Sequence, residues 1–202
     1  MKKRTIAIVM AVVMLFGITA GATLAWLTDT TETVTNTFTV GDINITLTET
    51  GATAENQYTN TFKIVPGVDI TKDPLVTVVK GSEACWLFVK VDEENWPTYT
   101  DDSGKRKVEY AMAAGWTKLT GETEVYYREV ASLVDAVDDS EFPVLLDNKV
   151  TVSSELTKTE ANGINVNPTL TITAYAIQSA GLADVDSDGS VTAVDAWAQL
   201  NP

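Results

Sequence analysis

The sequence predicts an all-β protein: an antiparallel β-sandwich of jelly-roll type with a short C-terminal helix, preceded by an N-terminal signal helix. Three observations lead there. Eight or so short runs alternate β-branched or aromatic residues with small polar ones, the period-two pattern of half-buried strands. Turn-forming pairs such as Pro66-Gly67, Asn162-Gly163 and Asn167-Pro168 separate these runs. Helical periodicity is scarce, which favours a sandwich over a mixed fold.

The chain opens with Lys2, Lys3 and Arg4, continues with an almost wholly apolar stretch at 6–20, and then has small residues up to Ala25. This is the order of a secretory signal peptide, so residues 1–25 are expected to be removed and residues 26–202 to form a single domain. The expected cut lies between Ala25 and Trp26, with Ala22 as a second possible position. A retained membrane anchor is the competing reading, because the apolar stretch is long enough to span. Residues 26–40 would then form a free N-terminal arm, which either pairs with a neighbouring subunit or folds back as an edge strand of its own sandwich. Its first part is Thr-rich and poor in apolar residues, as expected of a loose terminus. Its second part alternates, with Val34, Phe38 and Val40 as the inward set. Gly41-Asp42 interrupts the pattern, and 43–47 resumes it.

Residues 49–60 read as a loop, 61–65 as a strand ended by Pro66-Gly67, and 75–79 as another strand. Residues 85–91 are apolar on both faces, which predicts a central strand. Residues 92–107 are polar and predict a surface loop plugged by Trp96 and Tyr99. Tyr110, Met112 and Trp116 follow around Gly115. Further strands are expected at 124–130, 142–146, 150–152 and 169–177, the last one cleanly alternating.

Formal net charge is −14 over 202 residues, and removal of Lys2, Lys3 and Arg4 makes the remainder more negative still. Phosphate repulsion therefore excludes nucleic acid as a partner and disfavours anionic lipid surfaces. Such a charge suits an extracellular protein or one that meets cations. The chain has no histidine, which excludes Ser-His-Asp and Cys-His nucleophilic sites and imidazole-bound zinc. Cys85 is the single cysteine, so no disulfide forms within the chain. Its apolar neighbours predict a small core residue.

Residues 184–195 fit a calcium loop of the EF-hand kind. Counting Asp184 as first, Asp186 is third, Asp188 fifth and Gly189 sixth, where the chain must turn. Ser190 would offer its carbonyl, Thr192 would act through water, and Asp195 closes the loop. Calcium needs six to eight oxygens, and carboxylates at this spacing supply them. Asp at the last position resembles dockerin repeats, but those pair two loops and this chain has one. Residues 193–200 are expected to form a helix whose Val194, Trp197 and Leu200 face the sandwich. Calcium would then be a structural cofactor that fixes this helix.

Four segments together resemble the TasA and camelysin family of secreted bacterial proteins. They are 23–29 at the signal junction, 36–41, 65–74, and 174–178 followed by Ala196-Trp197. The resemblance implies a jelly roll, export through a dedicated signal peptidase of the SipW type, and assembly into biofilm-matrix fibres. It implies that the arm of one subunit completes the sheet of the next, and it leaves room for accessory matrix proteins. Camelysin-type members have been described as metallopeptidases, but this chain lacks HExxH and any histidine.

Three function classes follow. The first is a secreted structural protein at the cell surface or in the matrix that self-associates into filaments. The second is a cell-surface adhesin or carbohydrate-binding sandwich, stabilised by calcium, that uses Trp96, Tyr99 and Trp116. The third is a hydrolase built on paired carboxylates such as Glu93 and Glu94 or Asp138 and Asp139. Neighbours on an extended segment point opposite ways, which disfavours the third. The expectation is a non-enzyme.

Overall fold

The computed structural model describes residues 42–52, 60–164 and 167–200. The expected signal segment 1–25, the expected cut between Ala25 and Trp26, and the expected arm residues Trp26, Val34, Phe38 and Val40 lie outside these.

Three antiparallel sheets and a short C-terminal helix make up the described chain. The first sheet has the order β1 (Ile45–Thr48), β3 (Leu75–Val78), β8 (Ser140–Pro143). The second has the order β10 (Thr169–Gln178), β4 (Cys85–Glu94), β7 (Val125–Val130), β6 (Thr117–Lys118). The third is small: β2 (Ile70–Thr71), β9 (Lys149–Val152), β5 (Val108–Glu109). Helix α1 (Lys158–Gly163) lies between β9 and β10, and α2 (Ala193–Leu200) closes the described chain.

β4 organises the packing, as its two-sided apolar sequence predicts. It pairs with β10 on one side and β7 on the other, so its backbone polar groups are satisfied inside a sheet. Alternate side chains then serve two cores. Cys85, Leu87 and Val89 join Val76 and Val78 of β3 between the first and second sheets. Phe88 faces the other way and packs with Leu119, Val125, Ala193, Ala196 and Trp197 under α2. Cys85 is fully buried, and burial pushes its thiol up to about 11, so it is an inert packing residue.

A third cluster forms around Val108, Val150, Val152 and Leu156, with Trp96 and Tyr99 against it. The Trp96 indole donates to the Val108 carbonyl at 3.2 Å. These two aromatics therefore plug the loop, as expected. Part of that loop differs from the sequence reading, since residues 92–94 extend β4.

One other expectation is corrected, and one helix is additional. Residues 61–65 form no strand; Val65 only bridges to Val68 across the Pro66-Gly67 turn, and Phe62 is 43% exposed. Of this run only Ile64 finds cover, against Val108, Val150, Val152 and Leu156, and a strand with so little of its apolar face covered gains too little to form. Helix α1 was not foreseen. Thr157 caps it: its hydroxyl accepts from the Glu160 N–H at 3.2 Å, and Glu160 accepts from the Thr157 N–H at 2.7 Å.

At the β7–β8 side of the main core, the Arg128 guanidinium lies 4.0 Å from the Phe142 ring centroid and 5.3 Å from that of Trp116. Aromatic faces attract it there, and burial pulls its pKa down.

Candidate functional site

The 184–195 loop is built by its own carboxylates. Asp184 accepts from the Asp188 N–H at 3.2 Å and from the Gly189 N–H at 2.8 Å. Asp188 accepts from the Ser190 N–H at 2.9 Å and from its hydroxyl at 2.8 Å. The chain can fold so tightly because Ser187 and Gly189 both take left-handed backbone, with φ of 62° and 95°. Ligand oxygens of Asp184, Asp186 and Asp188 lie within 4.8 Å of one another. Three hard oxygen donors at that spacing fit a calcium ion.

Asp186 shows the electrostatic cost of this arrangement. The Asp188 N–H pulls its pKa down, but burial and the charges of Asp188 and Asp195 push it up on balance. A cation is the species that would relieve that repulsion.

Asp195 is placed differently. It is 1% exposed, and its oxygens accept from the N–H groups of Val185 at 2.7 Å and Asp186 at 3.3 Å. They also accept from the Thr192 N–H and hydroxyl, both at 2.8 Å. The Thr192 N–H and hydroxyl, followed by the Val185 and Asp186 amides, hold its pKa at about 2, against the opposing effect of burial. Asp195 thus clasps the two ends of the loop and occupies the first turn of α2, where a negative charge suits the helix dipole. The structure therefore groups Asp184, Asp186 and Asp188, while Ser190 supports Asp188 and Thr192 supports Asp195. Position twelve was read only as a ligand; the Thr192-x-x-Asp195 capping pattern was the available signal for its second role.

Helix α2 lies over β4 and β10. Trp197 is 8% exposed, with ring centroids 5.2 Å from Phe88 and 5.4 Å from Tyr175. Ala193 and Ala196 are buried and Leu200 half-buried, whereas Val194 is 41% exposed. The expected face of Val194, Trp197 and Leu200 is thus corrected by one helical step, with Ala193 and Ala196 replacing Val194. Ala193 and Ala196 beside Trp197 are small, which lets the helix approach the sheet closely enough to seat the indole.

The aromatic residues considered as a ligand platform are used in packing. Trp116 is 9% exposed, and its indole donates to the Pro143 carbonyl at 2.8 Å. Trp96 stacks edge-on against Tyr110 with centroids 6.0 Å apart. The paired carboxylates are also engaged: Glu93 receives Arg106 Nη1 on both oxygens, at 2.9 and 2.8 Å, and Asp139 accepts from the Lys80 N–H at 2.9 Å.

One further feature was not read from the sequence. β10 is ten residues long and pairs with β4 alone among the described residues. None of its side chains is fully buried. β1 is likewise an edge, paired with β3 alone among the described residues. Ile43, Ile45 and Leu47 on or near β1, and Leu170, Ile172, Ala174 and Ala176 on β10, all pack half-buried against the same core. The two edges border one apolar seam.

No family model matches the chain, and neither a curated protein nor a solved structure matches it.

Proposed function

We propose that the protein is an exported structural subunit of jelly-roll type that polymerises head to tail at the cell surface or in an extracellular matrix. Residues 26–40 of one subunit add as a strand beside β10 of the next. The observation that carries this reading is the ten-residue edge of β10, unpaired on its outer side among the described residues and flanked by half-buried apolar side chains. An open edge of that length is a template for another strand, and main-chain hydrogen bonds supply affinity while alternate side chains set register. The chain carries a suitable donor: Val34, Phe38 and Val40 alternate with polar residues a few positions before β1.

An arm tethered to its own domain gives a strand forward and accepts one behind. Such a contact does not close on itself, so filaments result rather than dimers. The signal segment holds the arm's end until a dedicated signal peptidase removes it, which restricts assembly to the outside. Calcium at Asp184, Asp186 and Asp188 has a structural role, fixing the loop and hence α2. The reading needs no catalytic residue.

Electron microscopy of the mature protein tests it. Deleting residues 26–37 is expected to leave a folded monomer that forms no filaments, and Phe38→Asp to weaken assembly more than Thr37→Asp. Filaments grown by the truncated protein as readily as by the mature chain would overturn it.

A further inference from the structure

Glu49, Asn60 and Lys72 meet where the turn after β1 passes the segment before β3. The Lys72 ammonium donates to Glu49 Oε2 at 2.8 Å, and the Asn60 carboxamide donates to Glu49 Oε1 at 3.2 Å. The Lys72 and Glu49 side chains are only 12% and 15% exposed. Among the described residues this is the one ion pair whose carboxylate also holds a carboxamide. The comparably buried pair Lys107–Glu160 has only Thr157 beside it.

The surroundings hold all three groups in place. Asn60 Nδ2 also donates to the Thr50 carbonyl at 3.0 Å. The Asn60 side chain lies across Gly51, whose φ of +81° and missing Cβ allow that approach; a Cβ there would stand 3.1 Å from Asn60 Oδ1. Thr50 is tied to Asp73, next to Lys72, through its N–H at 3.0 Å and its hydroxyl at 2.6 Å. The Lys72 N–H donates to the Asn148 carbonyl at 2.9 Å.

We propose that this is a self-modification site, at which Lys72 and Asn60 join through a side-chain amide with Glu49 as the acid–base group. A lysine amine is a competent nucleophile once it has lost its proton, and a carboxylate bonded to it is placed to take that proton. Lys72 Nζ then attacks Asn60 Cγ. The Nζ–Cγ bond forms and the Cγ–Nδ2 bond breaks. Of the two protons that Nζ gives up, one passes through the Glu49 carboxyl group to Nδ2, so that the Cγ–Nδ2 bond breaks to ammonia; the second, shed by Nζ as the amide forms, is taken by that ammonia, which leaves the site as ammonium. Lys72's positive charge thus goes with the leaving group, and Glu49 ends as the carboxylate it began as. No oxidant or co-reactant is required. Holding nucleophile and amide on the two oxygens of one carboxylate lowers the entropic barrier that makes this reaction negligible between free side chains. The product ties the segment after β1 to the segment before β3 without cysteine, in a chain that cannot make an internal disulfide.

Peptide mapping of the folded wild-type protein by tandem mass spectrometry tests the proposal. Trypsin should not cut after Lys72. The peptide 64–80 should appear joined to the peptide ending at Lys63, at the sum of the two free-peptide masses less one ammonia. Intact mass alone does not decide, because a succinimide at Asn162-Gly163 loses the same molecule. Asn60→Ala, Lys72→Arg and Glu49→Gln should each abolish the joined species. Recovery of the two wild-type peptides only as separate species, with cleavage at Lys72, overturns the proposal whatever the variants do. A joined species that persists in Glu49→Gln overturns the role given to Glu49.

Discussion

Replacing Trp197 with Ala removes the side chain that couples the acidic loop to the sheet. The ring is 8% exposed and packs against Phe88 at 5.2 Å and Tyr175 at 5.4 Å. Truncating a buried Trp to Ala costs roughly 3–5 kcal/mol, most of it lost transfer energy and the cavity left behind. The two ring pairs fall at the upper side of that range, since each is worth about 0.5–1.5 kcal/mol beyond its buried area. For a domain of this size each kcal/mol moves the melting temperature by about 2–4 °C, so a fall of roughly 6–20 °C is expected if the whole domain feels the change. A smaller route is open to the molecule: α2 can detach while the sheets persist. The loss then shows as proteolysis within residues 181–200 rather than as a lower melting temperature. Urea unfolding paired with limited proteolysis reads both routes. A change below about 1 kcal/mol with unaltered proteolysis would refute the packing argument.

Two other predictions concern the same loop. Calcium at about a hundred times its Kd should raise stability by about 2.7 kcal/mol, or roughly 5–10 °C, and Asp188→Ala should remove most of that rise; a melting temperature indifferent to calcium and chelator would count against the site. The Asp195 carboxyl is depressed from 3.8 to about 2, so its contribution is present above pH 4 and fades as pH falls toward 2. Asp195→Asn should flatten that window in an acid-unfolding curve, and an unchanged curve would show that the clasp carries no linkage.

What could be read from the sequence follows from range. β4 and β10 were legible because their patterns are local: one is apolar on both faces, the other alternates throughout. The helix at 193–200 was legible from position and composition, but its buried face was not. Whether Val194 or Ala196 meets the sheet depends on how closely the helix approaches Phe88 and Tyr175. α1 carried a local signal, Thr157-x-x-Glu160, that was overlooked in a stretch otherwise poor in apolar residues. β2, β5 and β6 are two residues each and exist only through their partners. The Asp184–Asp186–Asp188 group was legible because loop spacing alone sets it. The Glu49–Asn60–Lys72 cluster was not, since its members come together only when the turn after β1 reaches the segment before β3.

The claim that an incoming strand occupies the edge of β10 is tested most directly by hydrogen exchange, comparing monomer with assembled material. In the monomer, the β10 amides that do not bond β4 should exchange quickly, while those paired with it are protected. On assembly, the outward amides of 169–178 should become protected together with those of 34–40, and neither set should change in the protein lacking residues 26–37. Filaments that form while the outward amides of β10 continue to exchange at the monomer rate would contradict the account.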